Sequence, residues 1–582
     1  MTPPTAIDGR NASSRKGTDM QTSVNDATLS RRSFFKATAL NGSALIGVTV
    51  MAGCSPQAAT GTTSTKDNLA ATDGPAFLTA PEPIADQDIS ATMDCDVLVL
   101  GAGIAGASTA ASAVENGLSV IMVDKAETPR AVGLDFGLIN PQCALDAGVP
   151  EQDPYELTRD HVEKSMHACR VDKTYRFMTR SGEAGNWLVG KVDAWGLEPQ
   201  IMAYASKSDH YANNPGIVEF WHKGVNLGEE EDCYQPMAEI LAGLAEEVAQ
   251  AGGQVLPETE AVQLIRNEGG RVTGAICKNT DGYTKINAEK GVVMATGDYS
   301  ANEEMVSYYS DIDFDAIHPD FLTKMGTGTG DGQKMGLWVG AQMQKTAAPF
   351  MLFRGYCYHY LRTNALGERY VNEDSGYCGT VAAQLLQPQA ISWAIWDDKW
   401  REEIPGSLDY AGGMAYDQDF RRIQDPWTAE REEVGTWSWE MDDSYGTPSL
   451  FSADTLEELG AIMGYEGETL DTFLATVARY NELCDTGDED FGKRPELMSK
   501  IAQPPFYCLR MPVEVAVTVG GLTTNADSEC LDEEGRVIPG LFAVGNAAGG
   551  LFGTDYNEVT VPGISIGRSL TFGWLLGQHL AK

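Results

Sequence analysis

The chain has 582 residues, and its 83 acidic against 42 basic residues give a formal net charge of −41 at pH 7. That balance leaves no basic surface to neutralise phosphates, so it argues strongly against a nucleic-acid partner. The apolar fraction of 43% and the 62 glycines are typical of a glycine-rich α/β enzyme. Since the length exceeds what one hydrophobic core usually supports, we expect two intertwined domains behind an N-terminal leader.

The first 54 residues have the features of an export signal. Arg31 and Arg32, followed by a serine and two phenylalanines, look like a twin-arginine signal, and the uncharged run 37–53 is too weakly apolar for a permanent membrane span. Cys54 ends a Met-Ala-Gly-Cys sequence that resembles a lipoprotein cleavage box. We therefore expect twin-arginine export and an extracytoplasmic protein held at the membrane only through lipid on Cys54. The alternative is a chance arginine pair before a buried helix.

Residues 55–92 are rich in Thr, Ala, Ser and Pro without apolar periodicity, which predicts a flexible linker. Beyond Cys54 the cysteines are scattered, and the sequence has no C-x-x-C or C-x-x-C-H motif. Attached haem, a zinc ribbon and a redox dithiol are therefore not expected, and no metal site is predicted.

A dinucleotide-binding β-α-β unit is predicted between residues 95 and 124. An apolar run over 95–100 precedes a G-x-G-x-x-G motif, a helical stretch near 104–116 follows, and a second apolar run over 118–123 ends at an acid. In such a unit the glycines permit the turn, the approach of a pyrophosphate and close helix packing, while the helix N-terminus and the acid hold pyrophosphate and ribose. The predicted cofactor-binding residues here are Gly101, Gly103, Ala105, Gly106, Asp124 and Lys125.

Two later segments favour FAD over NAD, which the first motif alone does not distinguish. An apolar strand predicted over 291–295 ends in A-T-G, a pattern found in flavoproteins where the chain returns beneath the dinucleotide. The segment 540–546 resembles the second flavin fingerprint, and a final helix over 565–580 would direct its first amides at the flavin C2 carbonyl. These segments add the predicted FAD contacts Ala295, Thr296, Gly297, Gly545, Asn546, Ser565 and Ile566.

From residue 93 onwards the chain resembles the fumarate reductase/succinate dehydrogenase flavoprotein superfamily. Besides the segments above, the resemblance rests on G-T-G-D-G at 328–332, G-E-R-Y-V-N-E at 367–373 and G-G-L at 520–522. It implies FAD as the cofactor and hydride exchange between flavin N5 and a carbon–carbon bond beside a carbonyl.

The same resemblance implies an α/β fold in which an α+β cap, the substrate domain, interrupts a Rossmann-type FAD-binding domain. The expected boundaries are 93–310 and 501–582 for the FAD-binding domain and 311–500 for the cap. A middle region of that length is far too long for a loop, which supports a separate domain.

The sequence departs from fumarate-type reductases where those enzymes carry arginines. Tyr377 follows Glu373 by four residues, and Tyr556 stands in the late segment that precedes the last helix. This pattern is similar to 3-ketosteroid Δ1-dehydrogenases and their relatives among exported bacterial reductases. The resemblance implies Tyr377 as proton donor or base, and Tyr556 with the Gly563 amide as the binding site for a ketone oxygen.

These features predict an exported FAD-dependent reductase of an enone or enoate, with steroid-like molecules among the small-molecule substrates considered. Two alternatives remain open: the same fold oxidising its substrate as a dehydrogenase or an amine or hydroxyl oxidase, and a non-catalytic flavin electron carrier or ligand-binding lipoprotein. The sequence has neither a haem motif nor a motif for covalent flavin attachment. We therefore expect a separate electron donor, either a cytochrome or a membrane quinol-linked protein.

Overall fold

The structure of the chain is a computed structural model. It describes residues 74–582 with gaps at 130–132, 203–216, 226–233, 311, 325, 347–349, 353–359, 375–376, 400–449, 554–555 and 557–559. The predicted export signal, the predicted lipid site at Cys54 and most of the predicted linker lie outside the described residues.

The described residues contain eleven α-helices and eighteen strands. The helices are α1 (Ile104–Glu115), α2 (Gln142–Asp146), α3 (Pro154–Lys164), α4 (Val171–Val192), α5 (Gln235–Gln250), α6 (Glu303–Tyr309), α7 (Asp331–Trp338), α8 (Tyr377–Leu385), α9 (Leu456–Ile462), α10 (Glu468–Thr486) and α11 (Ile564–Leu580). The strands are β1 (Ile89–Leu100), β2 (Val120–Val123), β3 (Phe136–Gly137), β4 (Leu197–Met202), β5 (Ile217–His222), β6 (Gln254–Leu256), β7 (Glu260–Arg266), β8 (Val272–Asn279), β9 (Gly282–Met294), β10 (Leu322–Lys324), β11 (Phe350–Leu352), β12 (Leu361–Asn364), β13 (Ser392–Asp397), β14 (Leu450–Ala453), β15 (Phe506–Arg510), β16 (Val513–Thr518), β17 (Glu529–Leu531) and β18 (Val537–Ala543).

The central sheet has five parallel strands in the order β18-β9-β1-β2-β6, to which β17, β7 and β8 add antiparallel neighbours. Leu98 of β1 lies between Ile121 of β2 and Val292 of β9, and all three side chains are buried. Apolar residues occupy both faces, as expected for a parallel sheet covered on each side. This is the Rossmann-type arrangement that the sequence predicts.

Helices α1 and α11 pack closely on one face of this sheet. A Cβ atom at Gly573 would lie only 2.5 Å from the carbonyl oxygen of Ala105, so only glycine permits this approach. One helix also bonds the other directly, because Ser112 Oγ donates to the carbonyl oxygen of Trp574 at 2.8 Å. The close packing fixes the N-terminus of α11 relative to the turn that precedes α1. None of the helices in the described ranges is long and apolar enough to span a membrane.

The cap contains an antiparallel sheet in the order β12-β13-β15-β14. Helices α9 and α10 cover one face of it, where Leu459 and Phe473 pack with Ile395 in a separate apolar core. A second small sheet, β10-β16-β11, pairs strands from the predicted cap with a strand from the C-terminal region.

The predicted domain boundaries need two corrections. Strand β15 pairs with β13 inside the cap sheet, so the cap extends beyond the predicted limit at residue 500. Helix α7, predicted inside the cap, adjoins the FAD-binding domain instead, because Gly332 N–H donates to Thr296 Oγ1 at 3.1 Å. Both errors concern short segments whose partners are distant in the sequence, and local composition carries no information about such pairing.

The predicted linker also ends earlier than residue 92. The Phe77 side chain is buried, and its carbonyl oxygen accepts a hydrogen bond from Trp338 Nε1 at 2.9 Å. Strand β1 begins at Ile89, which pairs with Tyr283 of β9. The first part of β1 is mostly exposed, so its sequence lacks the apolar run that marked the buried part of the strand.

Candidate active site

The turn between β1 and α1 is closed by direct backbone packing. Gly101 has a φ of +103°, which disfavours every residue with a side chain, and a Cβ atom there would collide with the carbonyl of Ala295. A Cβ atom at Gly106 would collide with the carbonyl oxygen of Gly101. These two glycines are therefore required by the fold itself.

Gly103 differs, because the protein alone gives no reason for a glycine there. Its φ of −65° suits any residue, and a Cβ atom would have no atom of the described chain within 4 Å. A Cβ atom at Gly297 would likewise have no atom of the described chain within 4 Å, and no described side chain caps the N-terminus of α1. A small cradle next to uncapped helix amides fits a pyrophosphate, so the residues present fit the dinucleotide part of FAD.

Gly103→Ala should therefore leave the fold intact and weaken FAD binding by about 10- to 100-fold, because its methyl group would occupy the pyrophosphate space at a cost of about 1–3 kcal/mol. Gly106→Ala should instead destabilise the protein itself. The flavin-to-protein absorbance ratio after gel filtration and the thermal unfolding of the apoprotein separate the two effects. Wild-type FAD content in the Gly103→Ala protein would contradict this account of the cradle.

Asp124 and Lys125 lie at the end of β2, next to this turn. The Asp124 carboxylate accepts hydrogen bonds from the amides of Ala102 and Ala126 at 2.8 and 2.9 Å, so it braces the glycine turn. Lys125 Nζ donates to Asp331 Oδ2 at 2.9 Å. Burial opposes ionisation of Asp331, but hydrogen bonds from Thr329, Lys125 and Lys334 lower its pKa to about 2. Contacts of Asp124 and Lys125 with the cofactor stay predictions.

Ala295, Thr296 and Gly297 lie at the end of β9, against the same turn. The Ala295 amide donates to the carbonyl oxygen of Leu100 at 2.8 Å, and the Thr296 hydroxyl oxygen accepts a hydrogen bond from the amide of Gly332. The A-T-G turn thus connects the sheet to the 328–332 segment.

The second flavin segment meets α1 at Gly545. A Cβ atom at Gly545 would lie 2.9 Å from the Cβ atom of Ala105, which brings these two predicted FAD contacts together. The next residue, Asn546, accepts a hydrogen bond through Oδ1 from Arg568 Nη2 at 2.7 Å. Arg568 was not predicted from the sequence, although an arginine in an otherwise apolar helix is a visible signal.

Tyr556 lies in an aromatic cluster next to this segment. Its side chain is 2% exposed, and its ring centre is 5.1 Å from that of Phe552. The Arg568 guanidinium carbon lies 4.8 Å from the centre of the Phe552 ring. The His161 ring centre lies 6.0 Å from that of Phe552, and burial lowers the pKa of His161 to about 4. The cluster places one phenol beside aromatic rings and a buried cation.

The N-terminus of α11 is held by the strand that follows the first β-α-β unit. Gly563 is the N-cap of α11, and its carbonyl oxygen accepts the amide of Gly137 at 3.0 Å. Ser565 and Ile566 occupy the first turn of the helix and are partly exposed. The helix begins at Ile564, one residue before the predicted start at Ser565.

Tyr377 is the first residue of α8, and its side chain lies outside the described residues. Four residues earlier, the fully buried Glu373 carboxylate accepts hydrogen bonds from Arg369 Nε and Nη2 at 2.9 and 2.8 Å. Arg369 also bonds both oxygens of Asp488, and Lys493 Nζ lies 3.4 Å from Glu373. This network, Arg369, Glu373, Asp488 and Lys493, anchors the segment that leads to Tyr377.

The pKa values reflect these ion pairs. Burial alone would lower the pKa of Arg369, but Glu373 and Asp488 raise it above its usual range. Burial likewise opposes ionisation of Asp488, whereas its bonds with Arg369 and with backbone amides lower its pKa. The G-E-R-Y-V-N-E motif indicates this segment. Its partners Asp488 and Lys493 follow α10, and no sequence pattern connects them to the motif.

Comparison with known proteins agrees with the geometry. The family model described as "FAD binding domain" matches residues 96–558. A vinyl phenol reductase of Lactiplantibacillus plantarum is 27% identical over 520 residues, which are 84% of this chain and 96% of that protein. A urocanate reductase of Eggerthella lenta is 26% identical over 84% of this chain and 75% of its own length.

The fold is shared with a solved 3-ketosteroid-Δ4-(5α)-dehydrogenase from Rhodococcus jostii, at a TM-score of 0.61 and 22% identity over 86% of this chain and 99% of that one. The predicted fold class and the predicted FAD cofactor are thus confirmed. The chain therefore belongs to the FAD binding domain family within the fumarate reductase/succinate dehydrogenase flavoprotein superfamily, and it is an FAD-dependent oxidoreductase.

Proposed function

We propose that the protein reduces a carbon–carbon double bond conjugated with a carbonyl group, in a substrate that is neutral at the reacting end, such as an enone. The observation that carries this proposal is the buried Tyr556 beside Phe552, just before α11. Arg568, a buried cation that packs on the same Phe552 ring, directs both terminal nitrogens at Asn546 and at backbone carbonyls. The guanidinium is thus engaged by the protein, and we assign the Tyr556 phenol to the substrate.

The reaction needs a hydride and a proton on adjacent carbons. Bound FAD supplies the hydride from N5 once it is reduced. The Tyr556 hydroxyl and the Gly563 amide hold the carbonyl oxygen, where negative charge develops. Tyr377 gives the proton to the neighbouring carbon, which is work that a phenol with an ordinary pKa near 10 performs.

A second candidate is a double bond conjugated with a hydroxylated aromatic ring. It is favoured by the 27% identity to a vinyl phenol reductase, which extends over 96% of that protein. In this variant of the proposal the ring takes the place of the carbonyl as the conjugated group, and Tyr556 binds the substrate hydroxyl.

We further propose that the electrons come from a separate donor, a cytochrome or a quinol-linked membrane protein, and that the protein works outside the cytoplasm on a lipid anchor at Cys54. The support is the twin-arginine sequence, the cleavage-box sequence and the lack of any haem motif in the chain. Labelling with a radioactive fatty acid in cells, compared between the wild type and Cys54→Ala, tests the anchor.

An anaerobic assay with reduced methyl viologen tests the reaction itself. The purified holoenzyme is offered an enone, an enoate, a 4-vinylphenol, fumarate and a 3-ketosteroid, and viologen oxidation is followed for each. We expect turnover with an uncharged enone or with vinylphenol and none with fumarate. Turnover with fumarate alone would contradict the proposal, and oxygen-dependent oxidation of a saturated ketone would favour a dehydrogenase.

A further inference from the structure

Arg568 is a buried cation with an unusual set of partners. Its residue is 2% exposed, and its guanidinium donates to the carbonyl oxygens of Ala548 and Val519, each at 3.2 Å, and to Asn546 Oδ1 at 2.7 Å. Nε has no hydrogen-bond partner among the described residues. All three acceptors are neutral, so none of them cancels the positive charge.

A second buried cation lies close to the first. Lys173 is 2% exposed and donates to Thr524 Oγ1 at 2.6 Å and to the carbonyl oxygen of Gly549 at 2.8 Å. Burial first, and the charge of Arg568 second, lower the pKa of Lys173 to about 7. Within the described chain neither cation forms an ion pair with a carboxylate. Arg568 therefore contributes a positive field here that no ion pair in the described chain offsets.

The position of Arg568 relates this field to the cofactor. It lies one turn into α11, whose N-terminus is predicted to point at the flavin, and it bonds Asn546 in the second flavin segment. It also bonds Val519, the residue before the G-G-L sequence at 520–522. One guanidinium thus joins α11, the second flavin segment and the residue before the G-G-L sequence.

We propose that Arg568 is a tuning residue for the cofactor: a fixed buried cation that raises the reduction potential of bound FAD. Reduction adds electrons to the flavin ring, and a nearby positive charge in a medium of low dielectric stabilises the electron-rich state over the oxidised one. Because the guanidinium is held on several sides, it stabilises that state without reorganising. The inference does not depend on which substrate the enzyme reduces.

The midpoint potential of the purified holoenzyme without substrate tests this. An anaerobic titration with dithionite, in the presence of a reference dye, gives the ratio of reduced to oxidised FAD at a known potential. For Arg568→Met we expect this ratio to fall by at least about tenfold, which is about 30 mV for a two-electron couple. Arg568→Gln, which keeps hydrogen-bonding groups without the charge, should behave in the same way.

Two matched variants complete the test. Burial lowers the pKa of a lysine in this region, as it does for Lys173, so Arg568→Lys keeps the charge only in mildly acidic solution. At about pH 6 it should retain FAD at a potential near the wild-type value measured at the same pH. Arg536→Met removes an arginine whose side chain is 71% exposed and should change nothing. Loss of FAD from the Met and Gln proteins, with a normal Lys protein, would also contradict the proposal, because it would make Arg568 a residue for FAD binding rather than for the potential. The proposal is overturned if the Met or Gln protein holds FAD at the wild-type potential, or if the Lys variant fails as they do.

Discussion

Glu373→Gln is expected to lower the free energy of unfolding by about 3–5 kcal/mol, because it leaves two buried cations with one carboxylate between them. In the wild type, the two carboxylates Glu373 and Asp488 balance the positive charges of Arg369 and Lys493. The Glu373 side chain has no solvent-exposed surface. The neutral amide keeps the size of the side chain, so the loss measures charge and hydrogen bonding rather than packing. Urea unfolding of the holoenzyme, followed by circular dichroism and flavin fluorescence, gives the value.

A double variant separates charge imbalance from simple loss of contacts. When Lys493→Met is combined with Glu373→Gln, one cation and one carboxylate remain, Arg369 and Asp488, which bond each other. The double variant should therefore be more stable than the sum of the two single losses predicts. An additive result would mean that the network is a set of independent contacts.

A surface network provides the control. Arg479 on α10 forms ion pairs with Glu482, Glu489 and Asp490, and its side chain is 42% exposed. Solvent screens such pairs, so Arg479→Met should leave the unfolding midpoint nearly unchanged. A loss as large as that of Glu373→Gln would show that exposure is not what separates the two networks.

The nucleotide-binding half of the fold was predictable because its signals are local. The helix predicted near 104–116 occurs at Ile104–Glu115, and the apolar run over 118–123 forms the strand Val120–Val123. Each is defined by an apolar run and by glycines within a few residues of it. The turn requires glycine at some of these positions, for example at Gly101 with its positive φ, so the sequence shows where the turn lies.

The strand pairing inside the cap and the buried charges were not predictable, since the partners are far apart in the sequence. Strand β15 joins β13 across more than a hundred residues, and Glu373 meets Lys493 across a similar separation. Lys173 and Arg568 were missed for a second reason. Lysine and arginine are ordinarily exposed, so only the three-dimensional packing of α4 against α11 reveals that both are buried.

Tyr377→Phe and Tyr556→Phe should have the largest effects on the chemical step. If Tyr377 supplies the proton, its loss should slow flavin reoxidation by the substrate about 10²–10⁴-fold. If Tyr556 holds the developing oxyanion, its loss should cost about 10²–10³-fold. Stopped-flow mixing of the reduced holoenzyme with the preferred substrate measures this step. Reduction of the flavin by viologen should stay at the wild-type rate in both variants.

Tyr465→Phe is the matched control, because Tyr465 is a buried tyrosine of the cap whose hydroxyl donates to the carbonyl oxygen of Asn364 at 2.6 Å. Its loss should lower stability by about 1 kcal/mol without slowing reoxidation. A change of substrate then separates the two tyrosines assigned to the reaction. Exchange of the substrate carbonyl for a group without an acceptor oxygen should remove the penalty at Tyr556 but keep it at Tyr377, since only Tyr556 is assigned to that oxygen. A loss of only a few-fold in Tyr377→Phe, with FAD still bound, would take Tyr377 out of the mechanism and leave Tyr556 as the sole phenol assigned to the reaction.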